Sequence, residues 1–422
     1  MSENQQVRAE RPPRRSVGRV PIGLATVLLA SMSGIGSAAA TPVVPDELAE
    51  LTFYTAAPDR VPGPHGSVIQ LRPLSGDPGL AGARNYLVLY RSVDMQGDPV
   101  AVSGTLAVPD GAPPPGGWPL ISWAHGTTGV ADVCAPSHDT SPDFPAHDYT
   151  ELVRHHQERW IAAGYAVAQT DYQGLGTPGP HGYLIGGAEQ RAVTDMARAA
   201  RQIDPEIGSR WVTIGHSQGG QAAVFTAAQA QQWAPELQLL GAVALAPASH
   251  QGVGLQASQV ATTAGVASAL APLTGGAVSF LPLIIRGAQT VGEVDPARFL
   301  TPRAQSMLER GDIGCIGQLR QQDSWGGLNA ADVFAPGGDI SALVRVLNEN
   351  DPSALTFRQP VLVLQGRADT TVPAPATDAM VVQQRATGQP VEYRTYPGAD
   401  HRGVLDASYA DALAWVNARF GR

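Results

Sequence analysis

Lysine is absent from all 422 residues, so the 28 strong cations are arginines, set against 37 carboxylates for a net charge of −9. That balance, with no basic stripe and no interleaving of basic and aromatic side chains beyond the N-terminus, excludes a nucleic-acid surface. It gives no support to charge-driven binding of anionic membranes either. Cysteine is scarce: only Cys134 and Cys315 occur, and neither lies near histidines or acids at metal-ligand spacing, so no zinc or other metal site is expected. After the first forty residues no apolar run is long enough to span a bilayer.

What is present at the N-terminus is an export pattern. Arg11, Arg14, Arg15 and Arg19 form a basic region, Val20 to Ile35 is mostly apolar, and Ser37-Ala38-Ala39-Ala40 offers small residues for a signal peptidase. Cleavage is expected after Ala40, and Arg14-Arg15 fits a twin-arginine route loosely. An uncleaved anchor is disfavoured by Gly34 and Gly36 and by the short apolar run. An even pair of cysteines in an exported chain reads as a disulfide, with two separate buried thiols as the alternative. Closing a loop of about 180 residues contributes at most about 5 kcal/mol on a loop-entropy basis.

The chemistry is concentrated in three later segments. Trp211-Val-Thr-Ile-Gly-His-Ser-Gln-Gly-Gly220 runs from a β-branched stretch into Gly-x-Ser-x-Gly and then into an alanine-rich helical pattern from Gln218 to Gln232. Strand, tight turn and helix in that order are what a nucleophile elbow needs, with Ser217 at its apex and Gly215 and Gly219 leaving room for the turn. Serine is a weak nucleophile at neutral pH; a base must take its proton and a third group must orient that base. The strand pattern Pro360 to Gly366 delivers Asp369 just past its C-terminal end, and the alternating run Val391 to Gly398 is followed by His401, before a helical pattern from Leu405 to Phe420. Asp369 is the expected acid and His401 the expected base. Asp400 is a rival acid, but adjacent residues project differently. Asp369 as a simple helix cap after Pro373, and His401 as a surface histidine, are the competing readings.

Acyl transfer also needs donors for an oxyanion. One is expected from the backbone N–H of Gln218, at the start of the elbow helix where the dipole favours negative charge. The other is expected from Thr127, after the apolar strand that ends in His125-Gly126. His125 reads as a buried structural histidine. His155 and His156, in a polar helical stretch without a strand end, read as solvated.

Strand and helix patterns alternate as a mostly parallel sheet requires. Strands are expected over Asn85–Tyr90 and Val100–Val108 as an antiparallel pair, then at Leu120–Trp123, Ala166–Thr170, Leu240–Leu245, Val361–Leu364 and Val391–Tyr396, with helices near Glu151–Ala163 and Ala188–Ile203. The order Ser217, Asp369, His401 is that of α/β-hydrolases and differs from the chymotrypsin and subtilisin orders. The pattern breaks between Ser249 and Leu355, which reads as an inserted helical cap. Its stretch Val260 to Ile285 is apolar enough to line an acyl pocket, or simply to pack on the core. The expected organisation is residues 1–40 signal peptide, 41–249 first part of the hydrolase core, 250–355 cap and 356–422 second part of the core.

Several blocks together resemble one family. Ala124-His-Gly-Thr-Thr-Gly129, Cys134-Ala-Pro-Ser137, Asp171-Tyr-Gln-Gly-Leu-Gly-Thr-Pro-Gly179 with His181-Gly-Tyr-Leu184, and the Gly-His-Ser-Gln-Gly-Gly elbow are similar to those of secretory lipases of the α/β-hydrolase fold, from about Thr52 to the C-terminus. The resemblance implies a triad of Ser217, Asp369 and His401 and a helical cap over the acyl chain. It leaves open whether Thr127 or Gly126 donates to the oxyanion, because that loop varies among members. Asp171, Tyr172 and Tyr183 are expected to shape the wall of the site near a strand end without catalysing, and a buried aspartate that organises a glycine-rich loop is the other reading of Asp171. The implied activity is hydrolysis of carboxylic esters with apolar acyl groups, with no cofactor, an ester or lipid substrate, and transient contact with a lipid interface through the cap. An acyltransferase would use the same residues, and a fold that only binds lipid or a partner is the non-enzymatic alternative.

Overall fold

The computed structural model describes residues 52–263 and 278–422. The expected signal peptide, and residues 264–277 of the apolar stretch, lie outside them. Nine strands form one sheet in the order β1-β2-β3-β5-β4-β6-β7-β8-β9. Strands β1 (Val68–Leu74), β2 (Ala83–Val93) and β3 (Pro99–Pro109) make an antiparallel edge. From β5 (Ala166–Thr170) through β4 (Trp118–Ala124), β6 (Ile207–His216), β7 (Gln238–Leu245) and β8 (Val361–Gly366) to β9 (Val391–Tyr396), neighbours run parallel. The fold is an α/β-hydrolase fold. All seven residues of β4, five of β5 and six of β8 are buried, as expected of parallel strands covered on both faces.

Strand β1 has no counterpart among the expected strands. Its sequence, Val-Ile-Gln-Leu-Arg-Pro-Leu, carries Pro73 and alternates weakly, and only Ile69 is buried. A proline demotes a run in sequence yet is tolerated on an edge strand, where this one lies.

Helices cover both faces. Helices α1 (His147–Ala162) and α8 (Val404–Phe420) pack on one side through Trp160 and Trp415, while α2 (Gly186–Ile203) and α3 (Gln218–Trp233) pack on the other through Met196 and Ala222. Helix α7 (Ala374–Ala386) adds Met380 and Val381 beside α3. Between β7 and β8 the described chain is helical, with α4 (Gln251–Thr263), α5 (Leu281–Gln289), α6 (Ser341–Glu349) and several shorter helical segments. This insertion has its own apolar cluster, in which Leu283, Ile285, Phe299, Trp325 and Leu343 pack with Tyr183, Leu184 and Ile185. Cys134 and Cys315 form a disulfide with Cα atoms 5.4 Å apart. The Ile316 N–H donates to the Thr128 carbonyl beside it at 2.8 Å, so the insertion is fastened to the loop after β4. No helix among the described residues is long and apolar enough to cross a membrane.

One sequence reading fails here. His155 is exposed and pairs with Glu151 and Glu158, but His156 is buried, packed against the rings of Trp123, Trp160 and Tyr409. Tyr149, Val153, His156 and Trp160 recur at helical spacing and make the buried stripe of α1. Burial pushes the His156 imidazole down to about 3 from 6.5. Between those values the unfolded chain takes up a proton that the folded chain refuses, so this residue lowers stability as pH falls below about 6.5. At pH 5 the loss is about 2 kcal/mol. His156→Phe should therefore show a smaller drop in Tm between pH 7 and pH 5 than the parent chain, and equal drops in thermal melts would contradict the assignment.

Candidate active site

Strand β6 ends at His216 and helix α3 begins at Gln218, leaving Ser217 alone in the turn with φ 61° and ψ −117°. A non-glycine residue there costs of order 1–3 kcal/mol and persists only where its surroundings hold it. The surroundings are tight. A Cβ on Gly215 would collide with the Gly219 carbonyl, and one on Gly219 with the Ala124 carbonyl. Ser217 N–H donates to the Leu245 carbonyl at 2.9 Å, and the Ser217 carbonyl accepts from Gly220 and Ala248.

His401 lies between β9 and α8, and its Nε2 is 3.0 Å from Ser217 Oγ. Its Nδ1 is 2.8 Å from Asp369 Oδ2. A carboxylate accepts only, so Nδ1 carries the proton and Nε2 presents a lone pair to the serine hydroxyl. Asp369, just past β8, is buried. Its Oδ1 accepts the N–H groups of Thr371 and Val372 at 2.8 and 2.9 Å, and its Oδ2 accepts Gln365 Nε2 at 3.2 Å. Asp400, the rival acid, turns away to accept the Gly403 N–H at 2.7 Å. Ser217, His401 and Asp369 thus form one hydrogen-bonded line at the C-terminal ends of β6, β8 and β9.

Three groups absent from the sequence reading support this line. Gln365 is buried and also binds the Val372 carbonyl, while its Oε1 accepts Thr377 Oγ1, so its amide is fixed against Asp369. His216 Nε2 donates to the His401 carbonyl at 2.7 Å, which leaves its Nδ1 to accept the Tyr149 hydroxyl at 3.0 Å. Tyr149 Oη in turn accepts the Gly126 N–H at 2.7 Å. Burial, and then the neighbouring His401, hold His216 well below the ordinary histidine range, so it stays neutral. The sequence signal for Tyr149 was its place on the buried stripe of α1; for His216, its position next to the serine.

Gln218 opens α3, where the first N–H groups have no intrahelical acceptor. Thr127 lies in the loop after β4, with its Oγ1 2.7 Å from Tyr183 Oη. The Gly126 amide is already committed to Tyr149. His125 is buried, its imidazole pushed down to about 4 by desolvation. Asp171 does not line the cavity. It is buried and accepts Ser103 Oγ at 2.7 Å and the Ser137 N–H at 3.0 Å, and burial raises it to about 6. Tyr172 donates to the His125 carbonyl at 2.9 Å. Of the three expected wall residues only Tyr183 borders the cavity. That cavity, about 350 Å³, has Ser217 and Gln218 on its floor and Leu255, Phe280, Ile284 and Phe334 of the insertion among its walls. No group of three or more metal-ligating side chains occurs among the described residues.

A sequence model of the secretory lipase family matches residues 156–294. A trichothecene C-3 esterase of Fusarium sporotrichioides is 22% identical, covering 92% of this chain and 87% of its own, and lipase A of Moesziomyces aphidis is 26% identical, covering 91% and 84%. A probable inactive lipase of Mycobacterium tuberculosis is 24% identical, covering 79% and 73%. Among solved structures, Candida antarctica lipase A in its closed state superimposes with a TM-score of 0.68 at 21% identity, covering 87% of this chain and 85% of that one. By class the chain is a carboxylic-ester hydrolase. Its fold is that of α/β-hydrolases, and the stretch that resembles secretory lipases carries the Ser217 turn.

The Tyr149 hydroxyl bridges two buried groups. Tyr149→Phe strands the Gly126 N–H and one ring nitrogen of His216 and should lower unfolding free energy by about 1–3 kcal/mol. Urea titration measures this, and an unchanged midpoint would mean that the hydroxyl bridge contributes nothing.

Proposed function

We propose that this protein is a secreted lipase or esterase that cleaves carboxylic esters of apolar acyl chains through a Ser217-His401-Asp369 triad. The observation that carries the reading is the continuous hydrogen bonding from Asp369 through His401 to Ser217. Ser217 Oγ attacks the ester carbonyl carbon as His401 Nε2 takes its proton, and the carbonyl π pair moves onto oxygen. Asp369 stays ionised and offsets the imidazolium charge. The N–H groups of Gln218 and Thr127 hold the oxyanion; Thr127 is favoured over Gly126 because the Gly126 amide is bound to Tyr149. A pair of such donors contributes about 10²–10³-fold each in rate. His401 then protonates the leaving alcohol as the acyl-enzyme forms. Water, deprotonated by the same ring, attacks the acyl carbon, and Ser217 leaves with its proton restored.

The acyl group occupies the cavity beneath the insertion, which then acts as a cap. Its walls are chiefly apolar, so each methylene buried there is worth about 0.8 kcal/mol, or roughly fourfold in kcat/KM. The basic, apolar and small-residue pattern before Thr41 supports removal of residues 1–40 on export, and the disulfide supports an oxidising destination.

Ser217→Ala should reduce kcat by about 10⁴-fold or more with an unchanged melting curve, and should abolish labelling by a fluorophosphonate probe that marks the parent enzyme. Turnover or labelling retained in a folded Ser217→Ala variant would overturn the triad. On p-nitrophenyl esters of increasing chain length, kcat/KM should climb with each methylene until the cavity is filled. Ile284→Trp should move that ceiling to shorter chains while leaving the acetate rate within about twofold; an unmoved ceiling would place the acyl chain elsewhere.

A further inference from the structure

The residue after the nucleophile is held by its side chain as well as by its helix. Gln218 Nε2 lies 2.9 Å from Glu189 Oε1 and 3.2 Å from His181 Nε2. His181 Nδ1 sits 2.8 Å from the Gln173 carbonyl, which takes the ring proton, so its Nε2 is an acceptor. The two amide hydrogens of Gln218 are therefore divided between His181 and Glu189. Glu189 lies in the first turn of α2, and its Oε1 also accepts the Leu184 N–H at 3.0 Å. Its Oε2 has no hydrogen-bond partner among the described residues.

Charge around Glu189 decides its state. The titratable groups facing it are Tyr172 and Tyr183, with His181 across the Gln218 amide. Neither tyrosine is cationic, and burial keeps His181 neutral by pushing it down to about 4. Desolvation outweighs the two donors and raises Glu189 to about 8, so its acid form prevails at pH 7.

We propose that Glu189 is a positioning residue of the hydrolysis, a buried carboxyl that anchors, through the Gln218 side chain, the amide facing the oxyanion. The proposal rests on the Ser217 reading above. Its physical basis is the strained turn. Ser217 at positive φ is held only if the residues on both sides of it are held. His216 is fixed on the upstream side by Tyr149 and the His401 carbonyl. On the downstream side, Glu189 and His181 grip Gln218. An oxyanion donor is effective only when preorganised, so loosening this grip lowers kcat and leaves ground-state binding intact. An ionised Glu189 behind the donor would further oppose the negative charge that forms there.

The test is steady-state hydrolysis of p-nitrophenyl butyrate by the full chain carrying Glu189→Ala, Glu189→Gln, Gln218→Ala or Ser217→Ala, across pH 6 to 9.5. Glu189→Ala should lose kcat about tenfold or more with KM within twofold, and Glu189→Gln, which keeps the acceptor, should restore most of the rate. Parent kcat should decline above about pH 8, and Glu189→Gln should lack that decline. Gln218→Ala should match Glu189→Ala, and a chain carrying both Glu189→Ala and Gln218→Ala should be no slower than either. A folded Glu189→Ala with parent kcat, a Glu189→Gln as slow as Glu189→Ala, or an alkaline decline that survives in Glu189→Gln would each overturn the proposal. If Glu189→Ala does not fold, Gln218→Ala and the Glu189→Gln pH profile decide between these outcomes. If the parent chain has no turnover, or Ser217→Ala retains it, the triad reading itself fails, which is a different result from an intact triad indifferent to Glu189.

Discussion

The site depends on one strained residue. Ser217 occupies a backbone conformation that an L-residue avoids, and the cost is met by close packing of Gly215, Gly219 and the end of β4. The strain has a geometric use: it lifts the hydroxyl out of the sheet and aims it at His401, while the helix that follows points its first amides toward the same spot. Both neighbours of the serine are then gripped by buried side chains. Without those grips, relaxation of the turn would misplace the hydroxyl and the amide together.

His401 is held with equal economy. Its Nδ1 is fixed by Asp369, whose remaining acceptor capacity is filled by two backbone amides and Gln365, so the carboxylate has no reason to rotate. The His401 carbonyl is tied to His216, so the loop of His401 and the turn of Ser217 are fixed to one another. From His216 the same hydrogen bonding continues to Tyr149 and Gly126, reaching the loop of Thr127. Three segments far apart in sequence are thus registered against each other by neutral hydrogen bonds, whose geometry a change of pH near neutrality leaves in place.

Much of the fold was legible in the sequence because parallel strands buried on both faces read as short apolar runs, and because glycine-bounded turns mark their ends. Strand β1 was not, since an edge strand with Pro73 lacks both signals. Ser217, Asp369 and His401 could be picked out because each follows a strand pattern in a distinctive order. Gln365 and Glu189 could not: glutamine and glutamate are ordinary residues at those positions, and only the packing of elements remote in sequence gives them their partners. His156 was misread because its polarity was weighed above its place on the buried stripe of α1. Of the two readings of Asp171, the buried organiser holds: it ties Ser103 of β3 to the turn at Ser137.

The Cys134–Cys315 bond limits how the insertion can move. Cys315 is held covalently beside the loop of Thr128 and Gly129, so the part of the insertion around it cannot swing away without dragging that loop along. Helix α5 is pinned as well, with Gly287 packed directly on the Tyr183 backbone. Helix α4, where Val253 and Val260 face solvent, carries neither tether: Gly252 packs on the Asn348 side chain of α6, and Gln259 Nε2 donates to the Gly338 carbonyl at 2.7 Å. One flank of the insertion is therefore fixed by a covalent bond and the other by noncovalent contacts.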